Sequence, residues 1–172
     1  MFEMNIIFLM LGTNVGERLS NLTTANELIS MRIGKIVSHS HIYESESWGY
    51  KASNNYFNQC IILHTNMEAM NVLTEILNIE TEMGRVREGD TYSDRIIDID
   101  ILFFNKDCIN SKNLTIPHPH LHKRKFVLEP LNEIAPDLIH PVLDKSVTQM
   151  LHDCEDKLFV RKLKDPDHSK SC

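Results

Sequence analysis

The chain lacks most of the short motifs that announce a chemistry. Its four cysteines, Cys60, Cys108, Cys154 and Cys172, lie far apart and form no CxxC or other metal-ligand spacing. Such usage fits a reducing cytoplasm, and Cys60, inside an apolar run, reads as a small core residue. There is no GxxxxGK[ST] phosphate loop, and Gly12-Thr13-Asn14-Val15-Gly16 is not GxGxxG. No Gly-x-Ser-x-Gly elbow marks a serine nucleophile. The N-terminus carries no basic region and its apolar run is short, so neither a signal peptide nor a membrane span is expected. Basic charge is also scarce. A formal net charge of −6 argues against nonspecific nucleic-acid binding, although local arginines still permit an anionic substrate.

What is present is an ordinary soluble composition, 42% hydrophobic and 24% charged, over 172 residues, which suits one domain. Residues 1–163 read as that domain, and 164–172 as a charged, frayed tail. Ile6 to Leu11 is a short apolar run, consistent with a buried strand that ends at a Gly12-Thr13-Asn14 turn. Leu19, Leu22, Ala25, Leu28 and Ile29 have helical spacing, broken at Gly34. Lys35–Tyr43 reads as a second strand, 44–55 as a polar loop and Tyr56–Thr65 as a third strand. A second amphipathic helix runs from about Glu68 to Met83, and Gly84 closes it. Arg85–Asp94 is polar and aperiodic. Beyond the strand that follows, five prolines from Pro117 to Pro141 predict short pieces, then a last helix over Lys145–Cys154. The order βαββαβ predicts an α+β, ferredoxin-like sandwich with C-terminal additions.

The fourth strand carries the clearest chemical signal, Arg95-Ile96-Ile97-Asp98-Ile99-Asp100-Ile101-Leu102-Phe103-Phe104. Alternation sends Ile97, Ile99 and Ile101 to one face and Asp98 and Asp100 to the other. The two acids then stand about 7 Å apart at Cα. Neighbouring carboxylates repel, and divalent cations relieve that repulsion; oxygen ligands without cysteine point to Mg²⁺ or Mn²⁺ rather than zinc. A solvated edge strand that resists aggregation is the competing explanation.

The surroundings favour phosphate chemistry. Arg85, Arg87 and Arg95 flank the acids in sequence and Arg124 follows downstream. Guanidinium groups suit phosphate oxygens, and arginines around metal-binding carboxylates are the parts of a phosphoryl-transfer site. Surface pairing with nearby acids is the alternative for any single arginine. Pro117 and Pro119 interrupt His118, His120 and His122, so a lone His118 meeting phosphate is favoured over a three-histidine zinc site. Tyr56 and Asn58 share a strand face, where an aromatic and an amide can stack on and hydrogen-bond a flat heterocycle.

Taken together, Leu11-Gly12-Thr13-Asn14, Tyr56-Phe57-Asn58, Glu80 with Gly84-Arg85-Val86-Arg87, Arg95–Asp100, Thr115-Ile116-Pro117-His118, Arg124-Lys125-Phe126 and Pro130–Pro136 resemble the 6-hydroxymethyl-7,8-dihydropterin pyrophosphokinase family of folate biosynthesis. The resemblance covers about Asn5 to Leu151. It implies transfer of pyrophosphate from ATP to 6-hydroxymethyl-7,8-dihydropterin, with two Mg²⁺ ions; a cytoplasmic monomer with no nucleic-acid or membrane partner is the accompanying expectation. It implies that Asp98 and Asp100 hold the metals and that Arg85 and Arg95 engage phosphate during transfer. Glu80, Arg87, His118 and Arg124 would contact ATP. Tyr56 and Phe126 would sandwich the pterin, Asn58 would be its amide partner, and the backbone of Ser45 and Trp48 would border the pocket.

The chain departs from the family pattern in two places. Thr91-Tyr92-Ser93-Asp94-Arg95 stands where the family carries Gly-Pro-Arg, and Glu44-Ser45-Glu46-Ser47 where it often has Arg-Thr-Pro-Pro. Both are expected in loops that close over substrate. Tyr92 is a candidate aromatic lid, and Asp94 is expected to weaken the hold of Arg95 on phosphate. Two other readings use the same residues: a two-metal phosphohydrolase that attacks with water, and a noncatalytic nucleotide sensor.

Overall fold

The computed structural model describes residues 4–86 and 93–164. Its centre is β1 (Asn5–Thr13), which is buried on both faces from Ile7 onward. Alternation divides it. Ile7, Leu9 and Leu11 join one apolar cluster, and Phe8 and Met10 join another. Two helices, α1 (Arg18–Arg32) and α2 (Ala69–Glu82), cover the first face through Leu22, Ala25 and Ile29, and through Val72, Ile76 and Ile79. Both were expected from their helical spacing and differ by a few residues at their ends.

The antiparallel sheet adds β2 (Lys35–His39), β3 (Tyr43–Ser45), β4 (Tyr56–Thr65) and β5 (Asp98–Phe104). β1 lies between β5 and β4. The single strand expected over 35–43 is broken in two. β2 pairs with the far half of β4, and β3 with its near end at Tyr56–Asn58. The break has a local cause: the Ser40 hydroxyl accepts from Cys60 N at 3.0 Å and donates to the His41 carbonyl at 2.6 Å. Side-chain bonding of this kind competes with a regular ladder. Because β3 includes Glu44 and Ser45, the loop expected to begin at Glu44 starts after Ser45 instead.

A small hairpin, β6 (Ile109–Asn110) and β7 (Thr115–Ile116), follows β5. The proline-punctuated segment then holds a full helix, α3 (Lys125–Ile134), with Pro130 inside it. An interior proline costs about 3 kcal/mol. Burial of Val127, Leu128 and Leu131, at about 1.5–3 kcal/mol each, offsets that cost. α4 (Val147–Asp153) starts at a capping box in which the Ser146 hydroxyl and the Gln149 side chain satisfy each other's backbone N–H. α3 and α4 cover the second sheet face, with Phe8, Met10 and Leu102 beneath. A last strand, β8 (Val160–Lys162), pairs with β3 and had no signal in the sequence.

Glu133 of α3 ties this layer to the sheet edge. It accepts from Tyr43 Oη at 2.6 Å and from His41 Nδ1 and N, and lies 3.5 Å from Lys162 Nζ. Burial alone would raise its pKa. The hydrogen bonds from Tyr43 and His41 outweigh burial and hold it down at about 2.

Candidate active site

The second helical layer stops short of one end of the sheet, and the site occupies the uncovered part. Strand register sets its floor. Gly12 of β1 lies opposite Asp98 on β5 and Asn58 on β4, and Met10 lies opposite Asp100. These residues share a face, as alternation predicts, while Ile97, Ile99 and Ile101 are buried on the other. Gly12 was expected in a turn but is inside the strand. A Cβ there would come within 3.3 Å of Asn58 Oδ1 and 3.6 Å of Tyr56 Cδ1, so glycine keeps the floor open.

Two arginines converge on Asp98. Arg85 Nη1 donates to its Oδ1 at 2.7 Å, and Arg95 Nη1 to its Oδ2 at 3.0 Å. Arg85 also donates to Glu80 at 2.5 Å. The end of α2 explains this placement: Gly84 takes a positive φ of 93°, and Arg85 N bonds back to the Glu80 carbonyl at 3.0 Å. That is a left-handed helix stop, which folds the chain over its last turn. Glu80 is 2% exposed and also accepts from Ile99 N at 2.8 Å, so it fastens α2 to the acid strand.

Among the described residues, Asp100 has no such arginine contact. Desolvation, then the charge of Asp98, push its pKa up to about 7, against the opposing pull of Arg124. His118 Nε2 stands 3.9 Å from Asp100 Oδ2. His118 Nδ1 accepts from His120 N at 3.1 Å, which puts the proton on Nε2. Burial, followed by Arg124 and His120, lowers the His118 pKa to about 4, so the ring is a neutral donor near pH 7. The His118 and His120 rings meet edge-on, while His122 turns to His140.

Among the described residues, no group of three or more His, Cys, Asp and Glu side chains is arranged to hold a metal. Asp98 and Asp100 are two carboxylates side by side on one strand face. Such a set fits Mg²⁺, which keeps water and substrate phosphate oxygens as its remaining ligands, better than a protein-caged ion.

Beside the acids is a cavity of about 180 Å³, walled by Tyr56, Asn58, Trp48, Tyr50 and Phe126. Asn58 donates to Ser45 Oγ at 2.9 Å and to the Tyr43 carbonyl at 3.3 Å. Ser45 thus contributes its side chain as well as its backbone. Trp48 contributes its ring, over which Arg124 Cζ lies at 4.6 Å. Arg124 Nε is buried with no hydrogen-bond partner among the described residues, a cost that an incoming acceptor group would relieve. Tyr50, which the sequence did not single out, bonds through its hydroxyl to that of Tyr56 at 2.5 Å. On the other side is a wider cleft of about 860 Å³, bordered by Glu80, Arg85, Lys112 and Thr115. The two spaces share Arg95, Asp98, Asp100 and His118.

Two expectations need correction. Asp94 does not compete for Arg95: its carboxylate accepts from Asn14 Nδ2 at 2.8 Å and Ser53 Oγ at 2.6 Å, while the Arg95 guanidinium reaches Asp98. Glu44, expected in a loop, lies in β3, and Glu46 directly follows that strand. Glu44 pairs with Arg161 at 2.6 Å, and Glu46 Oε2 accepts from Phe159 N at 3.0 Å. Arg87 and Tyr92 lie outside the described residues, as does the expected tail from 165 on.

The fold and the cleft define an α+β domain with a paired-acid site between a smaller cavity with aromatic walls and a wider cleft. Residues 8–136 match the 7,8-dihydro-6-hydroxymethylpterin-pyrophosphokinase (HPPK) family, and the chain belongs to it. It is 38% identical over 141 residues to the 2-amino-4-hydroxy-6-hydroxymethyldihydropteridine pyrophosphokinase of Porphyromonas gingivalis, covering 80% of this chain and 95% of that protein. It is 38% identical over 148 residues to the protein of the same name from Aquifex aeolicus, covering 85% and 90%. An HPPK-DHPS crystal structure in complex with substrates shares the fold, with a TM-score of 0.74 at 18% identity over 87% of this chain. This chain spans 43% of that longer one.

Proposed function

We propose that the protein transfers diphosphate from ATP to the hydroxymethyl group of 6-hydroxymethyl-7,8-dihydropterin, releasing AMP, as a step of folate synthesis. Family membership supports the reaction. The observation that carries it in this chain is the meeting of two unlike spaces at one acid pair. The aromatic cavity suits a flat, hydrogen-bonding heterocycle, and the open cleft suits a polyanion.

In this reading the pterin stacks between Tyr56 and Phe126, and the Asn58 amide oxygen accepts from its ring. Ser45 and Trp48 complete the border. ATP occupies the open cleft against Glu80 and His118 and reaches Arg124 at the edge of the neighbouring cavity, with Arg87 as a further contact. Asp98 and Asp100 hold two Mg²⁺ ions, which when bound would neutralise phosphate charge. The acceptor oxygen bonds to the β-phosphorus, the bond from that phosphorus to the AMP oxygen breaks, and the hydroxyl proton is released. Arg85 and Arg95, already aimed at this spot through Asp98, stabilise charge on the oxygens in transit. Neutral His118 donates from Nε2. The tyrosine and tryptophan walls keep water from competing with the acceptor.

We also read β2 and β3 as one interrupted strand, which gives a ferredoxin-like βαββαβ core with α3, α4 and β8 as C-terminal additions. Residues 1–163 then form one pyrophosphokinase domain. Its helices cover both sheet faces, which supports a monomer, and the free thiols of Cys60, Cys108 and Cys154 suit the cytoplasm. No helix among the described residues is long and apolar enough to cross a membrane.

The test is to incubate the protein with ATP, Mg²⁺ and the pterin and to follow AMP. Pterin-dependent AMP is the expected result. Nucleotide cleavage without pterin would indicate the hydrolase, and ATP binding without turnover the sensor; either result overturns the proposal.

A further inference from the structure

Asp94 stands where the family pattern carries proline, and its contacts suggest a use for the change. Its carboxylate is shared between two segments that are remote in sequence. Oδ1 accepts from Asn14 Nδ2 at 2.8 Å, at the end of the central strand. Oδ2 accepts from Ser53 Oγ at 2.6 Å, and Ser53 N adds a longer contact of 3.4 Å to Oδ1. Ser53 belongs to the stretch after β3 that also carries Trp48 and Tyr50. Asn14 is 1% exposed and clamps the neighbouring residue: its Oδ1 accepts from Arg95 N at 2.7 Å, and its own N donates to the Arg95 carbonyl at 3.1 Å. A second tie runs in parallel, from Tyr50 Oη to the Ser93 carbonyl at 3.2 Å.

We propose that Asp94 is a positioning residue that bolts the wall of the aromatic cavity to the backbone of Arg95, so that closing the cavity around the acceptor sets the arginine at the acid pair. The proposal deepens the pyrophosphokinase reading and rests on it. The chain of contacts is short: Tyr56 hydroxyl to Tyr50, Tyr50 to Ser93, and Ser53 to Asp94 to Asn14 to Arg95. A proline here could supply none of the side-chain bonds. Hydrogen bonds to an ionised carboxylate are the stronger kind, and Asp94 is held below the usual carboxylate range, chiefly by Ser53 and then Asn14. Two segments joined in this way move together, and Asn14, anchored on β1, gives both a fixed reference.

Asp94→Ala, Ser53→Ala and the double variant test the idea, with Asp94→Asn as the milder change. Steady-state AMP formation gives KM for the pterin and kcat. ATP affinity is measured separately, and the fluorescence of Trp48, the single tryptophan, reports the cavity wall. Asp94→Ala is expected to raise the pterin KM about tenfold and lower kcat by a similar factor, with ATP affinity within about twofold of wild type. Ser53→Ala should do the same to a smaller degree. Adding it to Asp94→Ala should change little, because the shared contact is already lost. The Trp48 emission change on pterin addition should saturate at about tenfold higher pterin in Asp94→Ala. A fully additive double variant, or an Asp94→Ala protein that keeps the wild-type pterin KM and kcat and merely melts earlier, overturns the proposal. Wild-type protein without pterin-dependent AMP would instead overturn the pyrophosphokinase reading itself.

Discussion

The two faces of the acid strand behave as two different materials. On one side Ile97, Ile99 and Ile101 are at most 5% exposed and pack under α1 and α2. On the other, the same seven-residue strand begins with Asp98 and Asp100 in a cleft and ends with Leu102 beneath α3 and α4. A bulge between Phe8 and Leu9 in the pairing with β1 leaves Leu102 as the extra residue, so Leu102 and Phe103 both join the second cluster. The closed face is covered along its length. The open face is covered only part of the way, and the polar residues occupy what is left. Burial of apolar area holds the strand in place from one side, so the other side is free to keep two carboxylates together.

That contrast can be broken deliberately. The largest effect is expected from Asp98→Ala or Asp100→Ala. Turnover should fall by about a thousandfold or more, of the size seen when a group stabilising transition-state charge is removed, while circular dichroism and the melting curve stay close to wild type. Normal AMP formation in either variant would remove the acids from the site. Ile97→Ala, one residue from Asp98 on the opposite face and fully buried, should do the reverse. It should destabilise the fold by about 2–5 kcal/mol in denaturant titration and leave turnover per folded molecule nearly unchanged.

Next comes the tie between the second layer and the sheet edge. The pKa of Glu133 is depressed to about 2 by Tyr43 and His41 against the effect of burial. A depressed carboxylate contributes stability above its unfolded value, about 4.3, and that contribution is lost as pH falls toward the folded value. Melting temperature should therefore drop between about pH 4.5 and 2, and Glu133→Gln should flatten that part of the profile. A variant with the same acid limb would show that the tie does not act through charge. The smallest effect is expected at Arg161→Ala. Its pair with Glu44 is largely exposed on the arginine side, so the cost should stay under about 1 kcal/mol, a melting shift of at most about 4 °C.

Much of the closed face could be read from the chain. Helical spacing in Leu22, Ala25 and Ile29 located α1, and alternation in β5 separated isoleucines from aspartates. The covering of the open face was harder to read. Pro130 argued against the helix that carries Leu128 and Leu131, and propensity was overridden there by burial under a sheet. β8 is three residues long and exists through its pairing with β3. At the site, the acids, Arg85, Arg95, Tyr56 and Asn58 carried local or family signals. Tyr50, Glu46 and the Asp94–Asn14 contact did not, because each depends on a partner about 40 residues or more away, apart from the Tyr50–Tyr56 bond.

The amino-acid sequence by itself determined which side chains of β5 share a face and where α1 and α2 run, because both follow from the two-residue and 3.6-residue periods of the backbone. It also carried the family, through an ordered set of short matches. Only the tertiary structure decided that Gly12 lies between Asp98 and Asn58, that α3 stops short of them, and that Asp94 turns to Ser53 rather than Arg95. Those outcomes depend on strand register and on how far one layer extends over another. They are set by the packing of distant segments, which no local period encodes.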